Sequence, residues 1–338
     1  MKVYELQNSF GIDSLAIIER PEPTLLSPTQ IVVRVRAVSL NYRDLLIVKG
    51  LYNPRMPLPR VPLSDGAGEV VAIGEAVTRV KVGDRVAGIF MQTWTGGEIR
   101  AEHRASALGG EIDGMFAEHV SLDEAGVVHI PEHFTFEEAA TLPCAAVTVW
   151  NAFFASGNLK AGETVLVQGT GGVSLFALQF ARLAGARVII TSSSNEKLDR
   201  ASKLGASDGI NYRNAPEWQR RVRELTNGRG VDHVIEVGGA LTFNKSLGAV
   251  RTSGTVSMIG VLTGTSAEVS TASILHQSVR VQGIFVGSRE MFEEMNRAIE
   301  LHKLRPVIDR VFEFEEAREA FRHMEAGAHF GKIVVRIE

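Results

Sequence analysis

The stretch Gly162-Glu-Thr-Val-Leu-Val-Gln-Gly169-Thr-Gly171-Gly172-Val173-Ser174-Leu-Phe-Ala-Leu-Gln-Phe-Ala181 decides the fold. An apolar run, Val165 to Val167, leads into a glycine-rich turn, and an apolar, alanine-rich segment of helical character follows. A dinucleotide site needs that order. Gly169 permits a tight turn, Gly171 and Gly172 let backbone approach a pyrophosphate, and the helix opening at Val173 points its free N–H groups at the phosphates. A glycine pattern alone is a weak signal, and here Ser174 stands where a third glycine is expected. The strand before it and the helix after it give the pattern its weight.

The next apolar run is Arg187-Val-Ile-Ile-Thr-Ser-Ser-Ser194. It ends about 20 residues past the glycines, where an NAD-selective fold places an acidic residue on the ribose 2′-hydroxyl. This chain has Ser192 and Ser193 there, with Lys197 one turn into the following helix. No carboxylate repels a 2′-phosphate, and hydroxyls plus an ammonium can bind one. The pattern therefore favours NADP(H) over NAD(H). Ser192–Ser194 also suit a helix N-cap, and the two roles are compatible.

Working outward, strand-like runs recur at Gly209–Asn211, Val231–Val237, Gly254–Ile259 and Val279–Phe285, with helical segments between them. Alternating strands and helices imply a parallel sheet with right-handed crossovers. The N-terminal third differs. Ile31–Val38 alternates like a half-solvated strand, Gly66–Gly74 and Asp84–Phe90 are further strand-like runs, and Gln92–Gly114 reads as a long polar loop. Phe136 begins a helix expected to reach Phe154, kinked or divided at Pro143. After Gly287 come two helices, Glu290–His302 and Glu315–Ala326, and a strand, Lys332–Ile337. That tail is too short to be a domain, so it is expected to rejoin the N-terminal barrel. The predicted division is 1–145 with 289–338 as one domain and 146–288 as the nucleotide-binding domain.

The 338 residues suffice for two domains with substantial cores, and 45% hydrophobic with 22% charged residues is ordinary for a soluble protein. A net charge of −3 argues against nucleic acid or an anionic membrane as main partner. The single cysteine, Cys144, excludes an intrachain disulfide and a cysteine-rich structural zinc site. The opening Met1-Lys-Val-Tyr-Glu-Leu has no apolar leader, and no stretch has the length of a membrane span. A cytoplasmic location is the expectation.

Several further motifs together resemble the medium-chain dehydrogenase/reductase superfamily of alcohol dehydrogenases and quinone oxidoreductases. They are Asn41-Tyr-Arg-Asp-Leu-Leu-Ile-Val-Lys-Gly-Leu-Tyr52, Leu63-Ser-Asp-Gly-Ala-Gly-Glu-Val-Val-Ala-Ile-Gly74, Val82-Gly-Asp-Arg-Val-Ala87, Asp113-Gly-Met-Phe-Ala-Glu-His-Val120 and Ala139-Ala-Thr-Leu-Pro-Cys144. The resemblance covers essentially the whole chain. It implies an α/β protein: a GroES-like β-barrel catalytic domain plus a Rossmann doubly wound parallel-sheet nucleotide-binding domain.

Zinc members of that superfamily carry a Cys-His-Thr/Ser-Asp motif, a Gly-His-Glu motif and a later cysteine as ligands. Here the first motif reads Asn41-Tyr42-Arg43-Asp44 and the second Leu63-Ser64-Asp65-Gly66, so only Cys144 matches a ligand position. A catalytic zinc needs three protein ligands and an open position. His103, His119, His129 and His133 fall at no ligand position. The expectation is a metal-free site. Without a Lewis acid, a plain ketone lacks its main support, whereas a quinone or an α,β-unsaturated carbonyl spreads the arriving charge over an enolate that hydrogen bonds can stabilise. The Asn-Tyr-Arg-Asp form is similar to zinc-free quinone oxidoreductases and enoyl reductase modules.

The resemblance implies three candidate catalytic residues. Asn41 is expected to bond the nicotinamide ribose or a substrate oxygen, or simply to brace its loop. Tyr52 is expected near the substrate as a proton donor, an orienting group or a pocket wall, and Tyr42 is the third. Asp44 is expected to pair with Arg43 or Arg336, and Cys144 to be an inert packing thiol. For the cofactor, NADP(H), the expected contacts are Gly169, Gly171, Gly172 and Val173 at pyrophosphate and Ser192, Ser193 and Lys197 at the 2′-phosphate. Tyr212 is expected beside adenine, and Gly260, Val261, Phe285 and Val286 at the nicotinamide. The function expected is metal-free hydride transfer to a quinone, enone or other carbonyl substrate. A zinc-less alcohol dehydrogenase or aldehyde reductase, and a nucleotide-binding protein without turnover, remain open alternatives. The run Arg280–Val286 reads as a sheet edge that pairs in a homodimer.

Overall fold

In the computed structural model, which describes residues 1–25 and 27–338, the chain divides into two compact units. One is Met1–Val147 with Val286–Glu338, and the other is Thr148–Phe285.

The second unit is a six-stranded sheet, every neighbouring pair parallel. Its spatial order is Asp208–Asn211, Arg187–Ser192, Thr164–Gln168, Val231–Glu236, Val250–Met258, Arg280–Gly283. Numbered along this unit the order is 3-2-1-4-5-6, so the winding reverses between Thr164–Gln168 and Val231–Glu236. Ligands of such sheets lie outside the carboxyl ends of the strands at that reversal. The central strands are apolar runs because both faces are covered: Val165, Leu166, Val167, Val188, Ile189, Ile190, Val234 and Ile235 are fully buried. The helix Gly172–Leu183 buries Leu175 to Leu178, Phe180 and Ala181. Arg280–Gly283 is the outer strand, exposed at Arg280, Val281 and Gly283.

Polar groups at the opposite, amino end of this sheet are paired. Asp232 accepts bonds from Arg229 Nη2 at 2.6 Å, Arg251 Nε at 2.5 Å and the Thr164 N–H at 2.8 Å. Burial alone would raise its carboxyl, but the bonds from Arg229, Thr164 and Arg251 outweigh that and hold it well below the usual carboxylate range. A depressed folded-state value adds stability that is fully present above the unfolded value of about 4 and is lost progressively as pH falls from there through the lower folded value. Asp232→Asn is therefore expected to destabilise at pH 7 by about 3 kcal/mol and to lose much of that difference near pH 3. Urea unfolding of both proteins at the two pH values checks this; an unchanged difference would contradict it.

The first unit holds a seven-stranded sheet running Ile308–Phe312, Lys332–Arg336, Gln30–Leu40, Asp65–Ile73, Arg85–Gly88 and Val127–His129, with His119–Asp123 also paired to Gln30–Leu40. The tail joins it directly: Val335 sits opposite Val38 and Ile333 opposite Leu40, antiparallel. The strands Lys2–Leu6, Leu15–Glu19 and Ile308–Phe312 were not apparent in the sequence. The segment expected as one long helix from Phe136 is broken into short pieces, Phe136–Ala139, Leu142–Ala146, Val147–Trp150 and Asn151–Ala155, two of them wide π-type turns. Pro143 lies in the first π-type turn, consistent with the missing N–H of proline. Among the described residues no helix is long and apolar enough to cross a membrane.

Candidate functional site

In the nucleotide-binding unit the predicted cofactor residues gather at one edge, because all six strands run the same way. Gly169 follows Thr164–Gln168 with φ of 72°, in the left-handed region that glycine adopts without strain. Its N–H donates to Thr191 Oγ1 at 3.3 Å, which draws the turn against the neighbouring strand. Gly171 is the N-cap of the helix Gly172–Leu183 and offers no side-chain acceptor to the first turn, so those N–H groups stay available to an anion. Val173 lies in that turn. Ser174, the departure from the glycine pattern, is buried and donates from Oγ to the Gln168 carbonyl at 2.6 Å. The hydroxyl ties helix to strand where a third glycine would only allow close packing.

Ser192 ends the second strand, opposite Asn211. Its Oγ accepts from the Ser194 N–H at 3.3 Å, and its carbonyl accepts from the Tyr212 N–H at 3.0 Å. Ser194 caps the helix Asn195–Lys203 by accepting from the Lys197 N–H. The capping role considered for the serines thus falls to Ser194, while Ser192 and Ser193 lie just before that helix. Tyr212 is 41% exposed at the end of the adjacent strand. Gly260 and Val261 follow Val250–Met258; a Cβ at Gly260 would lie 2.4 Å from the Val237 carbonyl oxygen, so only glycine fits. Phe285 ends this unit and Val286 begins the return to the other, with φ of 59°. A β-branched residue in that region is strained and marks a position held by its surroundings.

In the other unit, Asn41 belongs to a buried polar cluster that Tyr52 meets through Arg43. Tyr42 opens the helix Tyr42–Val48 and is 40% exposed. Asn41 precedes that helix, and its N–H donates to Asp44 Oδ2 at 2.8 Å. Its side-chain oxygen accepts from Lys332 Nζ at 2.6 Å. Lys332 is 3% exposed and also donates to the Leu40 carbonyl at 2.9 Å. The ammonium lies 3.7 Å from Asp65 Oδ2. Asp65, fully buried, accepts from Ser64 Oγ at 2.8 Å and from the Cys144 N–H at 3.2 Å. Asp44 is fully buried 3.8 Å from Arg43 Nη1, and Arg43 donates to the Leu108 carbonyl at 2.9 Å. Two carboxylates thus face two cations.

Burial pushes the Asp44 carboxyl up to about 6, with Arg43 opposing. Burial likewise raises Asp65, against the Lys332 ammonium and the bonds from Asn41, Ser64 and Cys144. Burial, helped by Asp65, raises the Cys144 thiol well above the ordinary range, the opposite of an activated nucleophile. The Arg43 guanidinium lies over the rings of Phe90, at 4.5 Å, and Tyr52, at 5.3 Å. It anchors one face of Tyr52 while 41% of that residue remains exposed.

Of the two partners expected for Asp44, Arg43 is the one that pairs. Arg336 does not pair with Asp44; it bonds Glu137 at 2.9 Å and Glu313 at 3.2 Å, because the residue facing the cluster from that strand is Lys332. The sequence reading also missed Lys332 and Asp65 as partners. Their signal was present: each is a lone charge beside an apolar strand run, Lys332-Ile-Val-Val335 and Leu63-Ser-Asp65-Gly-Ala, and such charges are rarely fully buried unless paired.

Comparison with known proteins agrees with this architecture. Residues 27–132 match the alcohol dehydrogenase GroES-like domain, and residues 172–301 match the zinc-binding dehydrogenase family. A zinc-type alcohol dehydrogenase-like protein of Schizosaccharomyces pombe is 45% identical over 97% of this chain and 96% of its own length. The quinone oxidoreductase of Pseudomonas aeruginosa is 33% identical over 93% of both. The crystal structure of a putative alcohol dehydrogenase from Sinorhizobium meliloti superposes with a TM-score of 0.92 at 42% identity, covering 99% of this chain and 98% of that one. The chain belongs to the medium-chain dehydrogenase/reductase superfamily, oxidoreductases that use a nicotinamide cofactor.

Proposed function

We propose that the protein is an NADP(H)-dependent reductase of quinones or α,β-unsaturated carbonyls that works without zinc. The observation that carries this reading is the buried ammonium of Lys332, hydrogen-bonded to Asn41 among the residues that stand at zinc-ligand positions. Those residues do not fit a catalytic zinc. Asn41 and Ser64 are weak ligands, the Cys144 thiol is held protonated, and a fixed cation already neutralises the carboxylates nearby. Among the described residues no three His, Cys, Asp or Glu side chains are grouped to hold a metal ion.

The nucleotide-binding unit fits its cofactor. Gly169, Gly171, Gly172 and Val173 offer a turn and an open helix N-terminus to pyrophosphate. Ser192, Ser193 and Lys197 offer hydroxyls and an ammonium, with no carboxylate among them, to a 2′-phosphate; Tyr212 flanks the adenine, and Gly260, Val261, Phe285 and Val286 the nicotinamide. When bound, the reduced nicotinamide supplies a hydride. The chain's own part is to stabilise the enolate oxygen and deliver a proton. Tyr52 suits that role: its phenol is a hydrogen-bond donor on an exposed residue, steadied by the Arg43 guanidinium. Asn41 supports the site from beneath, its oxygen committed to Lys332. A zinc-less alcohol dehydrogenase of the same fold is the second reading, favoured by the names of several relatives.

Steady-state rates with NADPH and a quinone, a 2-alkenal and simple alcohols separate the two. Turnover of quinone or alkenal that persists after exhaustive chelation, with no stoichiometric zinc by elemental analysis, is expected. Turnover of saturated alcohols alone, or loss of all activity with the metal, would end this reading.

We also propose a homodimer formed through Arg280–Gly283. That strand closes the six-stranded sheet, and Val281 is 38% exposed on it. An uncovered sheet edge templates pairing with another copy. Light scattering is expected to give twice the chain mass, and Val281→Pro to shift it to monomer. A wild-type monomer would refute the assignment.

A further inference from the structure

Glu236 is the last residue of Val231–Glu236, next to Gln168 across the point where the sheet reverses its winding. It is fully buried, and no basic side chain pairs with it among the described residues. Five neutral donors surround its carboxylate instead. Oε1 accepts from the N–H groups of Gly238 at 2.8 Å and Gly239 at 2.9 Å and from Thr242 Oγ1 at 2.6 Å. Oε2 accepts from Gln168 Nε2 at 2.7 Å and from Ser246 Oγ. A buried carboxylate is costly unless its lone pairs are filled, and here every partner is a group it fixes in place.

Those partners lie in the strand end and turn on either side of Glu236. On one side, Gln168 carries the carbonyl that Ser174 holds, at the root of the pyrophosphate turn. On the other, the Gly238 carbonyl accepts from Thr263 twice, from its N–H at 2.7 Å and its Oγ1 at 2.9 Å. Thr263 Oγ1 accepts in turn from the Leu241 N–H at 2.9 Å. The turns Val237–Gly239 and Gly260–Gly264 are in backbone contact: a Cβ at Gly239 would lie 2.7 Å from the Gly264 carbonyl oxygen and 2.9 Å from Val261 Cα.

We propose that Glu236 is a positioning residue for the cofactor, locking the Val237–Gly239 turn and through it the Gly260–Gly264 turn that receives the nicotinamide half. The adenosine half is held elsewhere, by the ends of Arg187–Ser192 and Asp208–Asn211. The inference rests on the nucleotide reading above and adds a division of labour to it.

The test compares wild type with Glu236→Gln and Thr263→Val. Gln keeps the shape of Glu but turns one acceptor into a donor facing Gln168 Nε2. Thr263 is exposed, and its replacement by valine removes the two hydroxyl bonds between the turns, to the Gly238 carbonyl and from the Leu241 N–H, while its own N–H bond to Gly238 stays. Affinities for NADPH and for adenosine 2′,5′-bisphosphate are measured by calorimetry, and amide exchange by mass spectrometry. Glu236→Gln is expected to weaken NADPH about tenfold and to leave the bisphosphate within about twofold. Exchange is expected to quicken about tenfold in both 237–242 and 260–264. Thr263→Val is expected to weaken NADPH about threefold, again sparing the bisphosphate, and it carries the test if Glu236→Gln does not fold. Parallel loss of both ligands, or quickened exchange confined to 237–242, would overturn the proposal alone. A wild-type protein that binds neither ligand would overturn the nucleotide reading, and this inference with it.

Discussion

Lys332→Met is expected to destabilise the protein by about 3–5 kcal/mol at neutral pH, because it strands buried carboxylates without their cation. Asp65 would lose the ammonium 3.7 Å away, and the oxygens of Asn41 and Leu40 would lose a donor each. Methionine fills most of the volume, so the loss is electrostatic rather than a cavity. The pH dependence gives the prediction its signature. Burial raises Asp65, and raises Asp44 to about 6. A group raised in the folded state contributes stability below its unfolded value near 4 and loses it as pH rises through the folded value. Lys332 opposes both rises, so its removal moves both carboxyls further up. The variant can then recover by protonation, and its deficit is expected to shrink steadily from pH 8 to pH 5. Urea unfolding across that range checks it. A deficit below about 1 kcal/mol, or one independent of pH, would show that the cluster is not held by this cation.

On the proposed NADP(H) reading, Ser192→Asp is expected to reverse the cofactor preference. Ser192 is buried at the end of its strand, beside the cap of Asn195–Lys203 and next to Tyr212. A carboxylate there would face a 2′-phosphate and pair instead with a ribose hydroxyl. Replacing a charge-assisted bond by like-charge repulsion is worth about 3 kcal/mol or more, so kcat/KM for NADPH should fall by about a hundredfold or more. NADH is expected to hold its efficiency or gain. Parallel losses with both cofactors would mean that this position does not read the phosphate.

Legibility in the sequence followed the range of the interactions. The nucleotide-binding unit was readable because its strands are short apolar runs between glycine turns, each set by neighbours in sequence. Ser192, Tyr212 and Gly260 fall where the alternation places them, at the ends of successive parallel strands. The polar cluster was only half readable. Asn41, Asp44 and Cys144 stood out through motif resemblance, but Lys332 joins them from 292 positions beyond Leu40. Nothing local distinguishes a lysine that turns into a core from one that turns to solvent; the antiparallel register with Gln30–Leu40 decides it. Arg336, on the same strand, shows the cost of guessing without that register. The coupling through Glu236 was invisible for the same reason, since Gln168, Ser246 and Gly238 meet it only once the sheet has formed.

The order of the strands also bears on how the chain is made. Gln30–Leu40 and Asp65–Ile73 leave the ribosome early, whereas the segment bearing Lys332 emerges only after the whole of Thr148–Phe285 has been synthesised. The contiguous unit is free to mature during translation, while the discontinuous one waits with Asp65 still lacking its counter-charge. A polypeptide released before Lys332 would leave Asp65 in an apolar setting without its counter-charge, which is expected to destabilise the unit. Nascent chains truncated before Lys332 are expected to remain protease-sensitive in their first 147 residues.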